Sequence, residues 1–306
     1  MKDKTKGYTK ILKNWDLYLL LVLPFLYIII FNYLPMYGAQ IVFRDYSPVK
    51  GFFGSPWVGM KHFVNFFKSY DFKNIFFNTL SLSLYSLVAS FPIPIILALS
   101  FHYCNRPFIK KVVQLTTYAP NFISVIVICG MILEFFALRT GMVNVMLTFF
   151  GRDQINFMGD PKMFPHIYVW SGIWQGAGWG AIIYLAALAG ISIDLHEAAI
   201  LDGAGMMKRI WHIDLPGIAP TIVVMLILSL GGIMNVGFEK VLLLQNALNL
   251  SSSEVIQTYV YKMGIASDLP NISYTTAIGL FLSIINFILL VIVNNISKKL
   301  SDTSLW

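Results

Sequence analysis

Charged residues are scarce in this chain of 306 residues. Asp, Glu, Lys and Arg make up 12% of the sequence, and apolar residues make up 57%. Soluble domains carry roughly 25% charged residues, so a composition this poor in charge excludes an ordinary soluble domain. Long apolar runs recur along the whole chain and leave no stretch for a separate soluble domain. We therefore expect a single domain embedded in a bilayer.

Cysteine is scarce as well. The 2 cysteines, Cys104 and Cys129, lie in or beside apolar segments without the spacing of metal ligands, and we interpret them as packing residues. The net charge of +7 comes from Lys and Arg spread over loops and membrane flanks, so we predict no nucleic-acid partner. The polar N-terminal tail lacks the pattern of a cleaved signal peptide, so we expect the first apolar segment to be retained.

The sequence lacks the common motifs of nucleotide hydrolysis and metal catalysis. A P-loop, G-x-x-x-x-G-K-[ST], requires a Gly-Lys pair, and no such pair occurs. His196 and Glu197 begin like the zinc-protease pattern H-E-x-x-H, but position 200 is Ile, so the second ligand is missing. No G-x-S-x-G nucleophile elbow is present. We therefore predict no catalytic residue, metal ligand or cofactor in this chain.

Six apolar stretches are long enough to cross a bilayer, which takes about 20 residues of helix. They lie near 18–43, 78–101, 118–138, 164–190, 217–238 and 273–296. The pattern predicts an all-α integral membrane protein with six transmembrane helices. We assign 1–17 to a basic N-terminal tail, 18–296 to the membrane domain and 297–306 to a C-terminal tail.

The basic residues give only slight information on orientation. Twelve Lys and Arg lie on the side of the two termini and ten lie on the other side. Cytoplasmic loops carry the excess of basic residues, so the count favours cytoplasmic termini by a small margin.

Proline and glycine interrupt several of the predicted spans. Proline kinks a helix, and glycine lets two helices approach closely. Ordinary helix packing accounts for these residues, and helices bent around a solvated pathway are the alternative. The interrupting residues are Pro24, Pro35, Pro92, Pro94, Gly172, Gly176, Gly178 and Gly180.

A polar segment separates the fourth and fifth spans, at 191–216. Asp194, followed three residues later by Glu197, predicts the capped start of a short helix. Gly203 predicts a turn that ends this helix, because glycine accepts the left-handed backbone conformation.

A second short helix is predicted after that turn. Met207, Ile210 and Trp211 fall on one of its faces. Pro216 prevents easy continuation, so we place the start of the fifth span there. The small residues around the turn let another surface come close, and the segment therefore has the character of a docking loop.

This segment resembles the EAA signature of bacterial ABC importer permeases in every fixed position. The layout of six spans is similar to that of the maltose-type sugar permeases, and most similar to permeases for oligosaccharides and polysaccharide fragments. The resemblance implies that the loop is a cytoplasmic coupling helix seated in an ATPase subunit. The residues assigned to it are Glu197, Ala198, Ala199, Asp202, Gly203, Ile213, Leu215 and Pro216.

The resemblance also implies a set of partners. They are a homologous second permease subunit, two ATPase subunits that bind ATP and Mg, an extracellular sugar-binding protein, an oligosaccharide substrate and membrane lipid. Both termini would then be cytoplasmic, in a bacterial plasma membrane. The subunit itself would hydrolyse nothing.

Sugar-binding sites combine aromatic faces with amides and carboxylates, and a few residues in the spans have this chemistry. Packing or membrane-interface roles are the alternative for each of them. Trp170, Trp174 and Gln175 have spacings that permit one shared helix face. The candidates for the substrate pathway are Tyr85, Trp170, Trp174, Gln175, Trp179, Asn235 and Glu239.

Two functions of other classes stay open as alternatives. A secondary transporter requires ionisable residues at mid-membrane depth, whereas Glu134 and Glu239 fall near the ends of their spans. An integral membrane enzyme requires convergent polar groups near an interface, and the spacing of the loop residues does not bring such groups together.

Overall fold

The computed structural model describes residues 14–300, and the side chains as far as residue 298. The predicted tails lie largely outside the described residues, at 1–13 and 301–306. The regular secondary structure of the described part is helical apart from one isolated β-bridge, between Arg44 and Trp57. The described residues divide into two compact units, 14–68 with 268–280 and 69–267 with 281–300.

The first unit contains four α-helices and part of a fifth. In order they are α1 Trp15–Ile28, a π-helical turn Ile29–Tyr33, α2 Leu34–Tyr37, a 3₁₀ turn Gly38–Phe43, α3 Gly51–Gly54, α4 Lys61–Lys68, and the start of the C-terminal helix α17, Ile272–Leu300. The residues of α1 are apolar and exposed in the chain, as expected of a span that faces lipid.

Polar contacts hold the loop that follows this first span. Arg44 donates from Nη1 to the Ser55 carbonyl at 2.9 Å, and the Tyr46 N–H donates to Ser273 Oγ at 3.0 Å. Lys61 and Asp45 form an ion pair at 2.8 Å. The loop is therefore fixed within its own unit by hydrogen bonds to both chain segments.

The second unit contains the remaining helices. They are α5 Phe72–Ser90, α6 Pro92–Tyr103, α7 Pro107–Tyr118, a 3₁₀ turn Ala119–Phe122, α8 Val125–Phe135, α9 Met142–Phe149, α10 Met163–Ala189, α11 Ile193–Leu201, α12 Met206–Arg209, a π-helical turn Ile210–Asp214, α13 Leu215–Gly231, α14 Phe238–Leu244, α15 Leu250–Ser253, α16 Ile256–Gly264, and the rest of α17.

Five helical segments in the described part are long and apolar enough to cross a membrane. They are Trp15–Phe43, Phe72–Tyr103, Met163–Ala189, Met206–Gly231 and Ile272–Lys298. A sixth results if Pro107–Phe122 and Val125–Phe135, which meet at a bend of 102°, count as one broken span. The prediction of an all-α membrane protein is confirmed.

The third and fifth predicted spans need correction. The third, predicted at 118–138, is bent because Pro120 lies in a 3₁₀ turn and Ser124 caps a new helix, its Oγ accepting from the Val127 N–H at 3.4 Å. The fifth, predicted at 217–238, begins earlier at Met206 and ends at Gly231, where two glycines adjoin. Glycine pairs are poor helix formers, so the span stops there.

Helix α10 is the centre of the second unit and packs against α5, α6, α7 and α13. Gly178 is buried, and a Cβ there would overlap the Thr117 carbonyl of α7. Gly180 is similarly close to Pro94 of α6. Both contacts support close helix packing as the role of these glycines.

Candidate functional site

The loop at 191–216 forms the predicted pair of short helices, but its first cap is a different residue. Ser192 caps α11, because its Oγ accepts from the Asp194 N–H at 3.2 Å. Asp194 lies in the first turn instead and accepts from the Ser192 hydroxyl at 3.2 Å. A carboxylate in the first turn still stabilises the helix dipole. The predicted cap at Asp194 was therefore wrong by two residues.

Gly203 makes the predicted turn. Its φ is +75°, which is the left-handed region that favours glycine. The Gly203 N–H donates to the Ile200 carbonyl at 3.0 Å, and the next N–H, of Ala204, donates to the Ala199 carbonyl at 2.8 Å. These two bonds satisfy carbonyl groups at the C-terminal end of α11 and close the turn tightly.

The sequence predicted that the fifth span begins at Pro216, but no separate helix begins there. Helix α12, the π-helical turn Ile210–Asp214 and α13 are continuous. The π-helical geometry makes the Leu215 N–H donate to the Ile210 carbonyl, five residues back, and Pro216 then falls in the first turn of α13. A proline lacks the N–H that the regular helical hydrogen-bond ladder uses, and Pro216 lies two residues after the π-helical turn, which interrupts that ladder.

The EAA residues divide between a solvent-facing part and a packed part. Glu197, Ala198, Asp202 and Gly203 are exposed, whereas Ile213 and Leu215 are partly buried beneath the loop. Large apolar side chains lie beside the exposed part, among them Leu201, which is 88% exposed. The loop therefore presents a mixed apolar and acidic surface of the kind that a protein partner covers. This surface consists of Ile193, Leu195, Glu197, Ala198, Ile200, Leu201, Asp202 and Gly203.

A polar cavity of about 200 Å³ lies between α5, α10 and the segment after α13. Ser83, Ser86, Ser90, Tyr168 and Asn235 are among its lining residues. The hydroxyls of Ser83 and Ser86 are buried and have no hydrogen-bond partner within the described residues. Buried hydroxyls are normally hydrogen-bonded, so this cavity is suited to a polar ligand.

Of the residues predicted for the substrate pathway, Asn235 lines this cavity. Its Oδ1 accepts from Asn286 Nδ2 at 3.3 Å. The serines were missed, although Ser83, Ser86 and Ser90 recur at helical spacing along α5 and thus share one face.

The predicted aromatic candidates lie elsewhere. Trp170 donates from Nε1 to the Tyr85 hydroxyl at 3.0 Å, and this hydroxyl also contacts His166 Nδ1 at 2.9 Å. Trp170 and Trp174 line an apolar cavity of about 300 Å³ together with Met131 of α8. Of the three residues predicted to share a helix face, Trp170, Trp174 and Gln175, the two tryptophans line this cavity and Gln175 does not.

The remaining candidates do not join that cavity. Gln175 donates to the Ile123 carbonyl at 3.2 Å, so its amide is used in packing. Trp179 contacts Phe122 edge to face, with ring centroids 5.5 Å apart. Glu239 is exposed at the start of α14.

The structure adds a buried cation that the sequence did not indicate. Lys240 is 7% exposed, and its Nζ donates to the Tyr168 carbonyl at 3.1 Å and lies 5.1 Å from the centre of the Tyr168 ring. None of the ion pairs in the described part of the chain includes it. Burial lowers the pKa of Lys240 to about 8. Lys240 therefore places a weakly compensated positive charge beside Tyr168, which lines the polar cavity.

Comparison with known sequences identifies a family and several relatives. The family of binding-protein-dependent transport system inner membrane components matches residues 71–302. Protein LplB of Bacillus subtilis is 43% identical over 290 residues, which cover 95% of this chain and 91% of LplB. The polygalacturonan/rhamnogalacturonan transport system permease protein YteP of Bacillus subtilis is 38% identical over 306 residues, or 100% of this chain and 95% of YteP.

Comparison with solved structures agrees. A crystal structure of a bacterial ABC transporter involved in the import of the acidic polysaccharide alginate contains a similar chain, with a TM-score of 0.90 and 36% identity. The match covers 97% of this chain and 99% of that one. The chain therefore belongs to the family of binding-protein-dependent transport system inner membrane components, the multi-pass permease subunits of ABC transporters, and is not itself an enzyme.

Proposed function

We propose that this chain is a permease subunit that imports acidic oligosaccharides delivered by an extracellular binding protein. The transporter contains a second, homologous permease subunit and two ATPase subunits that hold ATP and Mg. Import as such follows from the family. That the sugar is acidic is the more specific part of the proposal, and the observation that supports it is the buried charge of Lys240.

The first step of the argument concerns coupling to ATP. The exposed part of the loop, with Glu197, Ala198 and Gly203, has the shape and mixed polarity of a docking surface. The tight turn at Gly203 keeps α11 short and lets a groove of the ATPase subunit close around it. Since α12 is continuous with α13, a displacement of the loop would be transmitted directly to a membrane span. In the proposed transporter the loop and both chain termini lie in the cytoplasm.

The second step concerns the sugar. The unpartnered hydroxyls of Ser83 and Ser86, with the amide of Asn235, supply donors and acceptors for sugar hydroxyls at the polar cavity. Tyr85, Trp170, Trp174, Gln175, Trp179 and Glu239 lie outside this cavity and stay predictions for other parts of the pathway.

The third step concerns charge. Lys240 contacts Tyr168, and its Nζ would be 3.5 Å from a Cβ placed at Gly172, a residue of a neighbouring cavity of about 300 Å³. In a medium of low dielectric constant, a cation with weak compensation attracts anions over several ångströms. The named ligands of two relatives, alginate and polygalacturonan, are polymers of acidic sugars, which agrees with this preference.

The test uses the transporter purified with its ATPases and binding protein. We expect ATP hydrolysis to rise several-fold with a binding protein loaded with oligogalacturonate. The same oligosaccharide with its carboxyls reduced to alcohols should stimulate much less. Failure to assemble with any ATPase contradicts the importer function, whereas assembly with stimulation by neutral sugars alone contradicts only the acidic substrate.

The Lys240→Met variant separates the two parts of the proposal further. It should keep assembly and basal ATP hydrolysis while losing most of the preference for the acidic sugar. Lys262→Met is the matched control, because Lys262 already has a carboxylate partner, Glu254, at 2.8 Å. Equal loss in both variants contradicts a specific role for Lys240.

A further inference from the structure

Three side chains with metal-binding chemistry meet beneath the coupling loop. His102 lies in the last turn of α6, His196 lies on α11, and Asp214 ends the π-helical turn before α13. One nitrogen or oxygen atom from each lies within 4.8 Å of the others. Because these residues come from three separate elements, no sequence motif connects them.

Asp214 and His196 are already arranged as two ligands of one ion would be. His196 Nε2 and Asp214 Oδ1 are 3.3 Å apart. In tetrahedral zinc sites with bonds of about 2.0 Å, neighbouring ligand atoms are separated by roughly 3.3 Å. Neither atom has a hydrogen-bond partner within the described residues, although both are buried. The contact between them is an ion pair only when the imidazole is protonated, and a bound cation would satisfy the buried carboxylate oxygen with the imidazole neutral.

The other oxygen of Asp214 is held in place. Tyr103 donates its hydroxyl to Asp214 Oδ2 at 2.5 Å, so Oδ1 is left for another partner. Outer hydrogen bonds of this kind orient carboxylates that bind metals. The centres of the His102 and His196 rings are 6.0 Å apart, so His102 has to rotate about its side-chain bonds to complete the site as the third ligand.

Access and charge limit which ion fits. His102 and His196 line a cavity of about 530 Å³, through which an ion and a completing water molecule can enter. Arg209 lines the same cavity, with its guanidinium 5.3 Å from the centre of the Tyr103 ring. Its positive charge disfavours any cation, so binding here has to come from coordinate bonds to the imidazole nitrogens and the carboxylate. Imidazole nitrogens favour zinc and its neighbours in the first transition row.

We infer that His102, His196 and Asp214 form a binding site for a divalent cation of the zinc type, which fastens the coupling helix α11 to the adjoining ends of two membrane spans. The three protein ligands leave a fourth position for water. The ion would bind α6, α11 and the π-helical turn before α13 to one another. This is the region through which a movement of the loop would be transmitted to the membrane domain.

The test uses the full-length chain, purified in detergent without a polyhistidine tag and stripped with a chelator. We expect titration with Co²⁺ to give the visible absorption of a tetrahedral site, saturating at one ion per chain, and Zn²⁺ to displace it. His196→Gln and Asp214→Asn should each weaken binding at least tenfold. His212→Gln is the matched control, since this histidine belongs to the same loop, is exposed, and its ring Nδ1 lies 2.9 Å from the Lys208 carbonyl, away from the three proposed ligands.

Tyr103→Phe is a second test, for the case in which the ligand variants fail to fold. It keeps all three ligands and removes the hydroxyl that orients Asp214, so we expect binding to fall about 10–100-fold. Absence of tetrahedral Co²⁺ absorption in the wild-type chain overturns the inference. So does equal binding by the His196→Gln and His212→Gln variants.

Discussion

The ammonium nitrogen of Lys240 lies 3.1 Å from the main-chain carbonyl oxygen of Tyr168. The Tyr168 hydroxyl in turn accepts from the Gly237 N–H at 3.0 Å. These two contacts attach the main chain and the side chain of Tyr168, in α10, to α14 and to the loop that precedes it. The charge of Lys240 is therefore fixed in position although no carboxylate neutralises it in the described ion pairs.

The first prediction concerns how stability depends on pH. Burial lowers the pKa of Lys240 from 10.5 to about 8, so between these values the unfolded chain binds the proton and the folded chain releases it. The free energy of unfolding should therefore rise with pH over this window, by about 3 kcal/mol at most. Thermal unfolding in detergent at pH 7.5 and 9.5 measures the change. Lys240→Met should remove this rise, and a rise unchanged in that variant would assign it to another group.

The same titration predicts how function depends on pH. As pH rises through about 8, Lys240 loses its charge, so stimulation of ATP hydrolysis by an acidic oligosaccharide should fall. The Lys240→Met variant should show a flat response over this range. The Lys262→Met variant should keep the profile of the wild type, and a fall of equal size in both variants would argue against the proposed attraction.

The second prediction concerns the turn of the coupling loop. Gly203→Val places a side chain at φ +75°, which costs on the order of 2 kcal/mol in this conformation. We expect the membrane spans to stay folded, while the ATPase subunit co-purifies less and sugar-stimulated hydrolysis falls at least several-fold.

Gly205→Val is the matched control for this turn. Gly205 lies two residues away, has φ −69°, and has open space around an added Cβ. It should therefore retain normal coupling. Loss of coupling in the control, or its retention in Gly203→Val, would contradict the assigned role of the turn.

The sequence predicts this loop well because its determinants are local. The left-handed turn at Gly203 depends on one residue that lacks a Cβ, and helix α11 depends on short-range caps. The cap itself was misplaced, because Ser192 and Asp194 are both good capping residues and only the backbone decides which one precedes the helix.

The sequence predicts the deeper contacts poorly because they join distant segments. Lys240 has the pattern of an ordinary loop cation, and only the approach of Tyr168 buries it. In the sequence, His196 resembled an incomplete zinc motif because position 200 is Ile. Its spatial neighbours His102 and Asp214 lie far away in the sequence and could not be recognised from it. The bend before Val125 likewise depends on a proline and a cap inside an apolar run, which hydropathy alone treats as one span.

The third prediction tests the packing of α10 against α7. Gly178→Ala adds a Cβ that overlaps the main chain at Thr117, and a backbone carbonyl cannot rotate away as a side chain does. Overpacking of this kind typically costs about 1–3 kcal/mol. Gly176→Ala is the control on the same helix, because nothing lies within 4 Å of its added Cβ. Thermal unfolding should show a lower midpoint for Gly178→Ala only, and equal midpoints would contradict the close approach.

The fourth prediction tests a buried hydrogen bond between α5 and α16. Thr79 Oγ1 donates to the Ile75 carbonyl at 2.8 Å and accepts from the Ile256 N–H at 2.9 Å. Thr79→Val keeps the shape and removes the acceptor, so a buried N–H loses its partner. This should lower the free energy of unfolding by about 1–3 kcal/mol.

Thr116→Val separates the contact between helices from the contact within one helix. Thr116 is exposed and makes the same kind of local bond, to the Val112 carbonyl at 2.9 Å, but within residues 14–300 it accepts no hydrogen bond from another helix. Its replacement should leave the unfolding midpoint within error of the wild type, because no group on another helix loses a partner. If both variants lose equal stability, the cost lies in the local bond of the threonine, and Thr79 does not join α5 to α16.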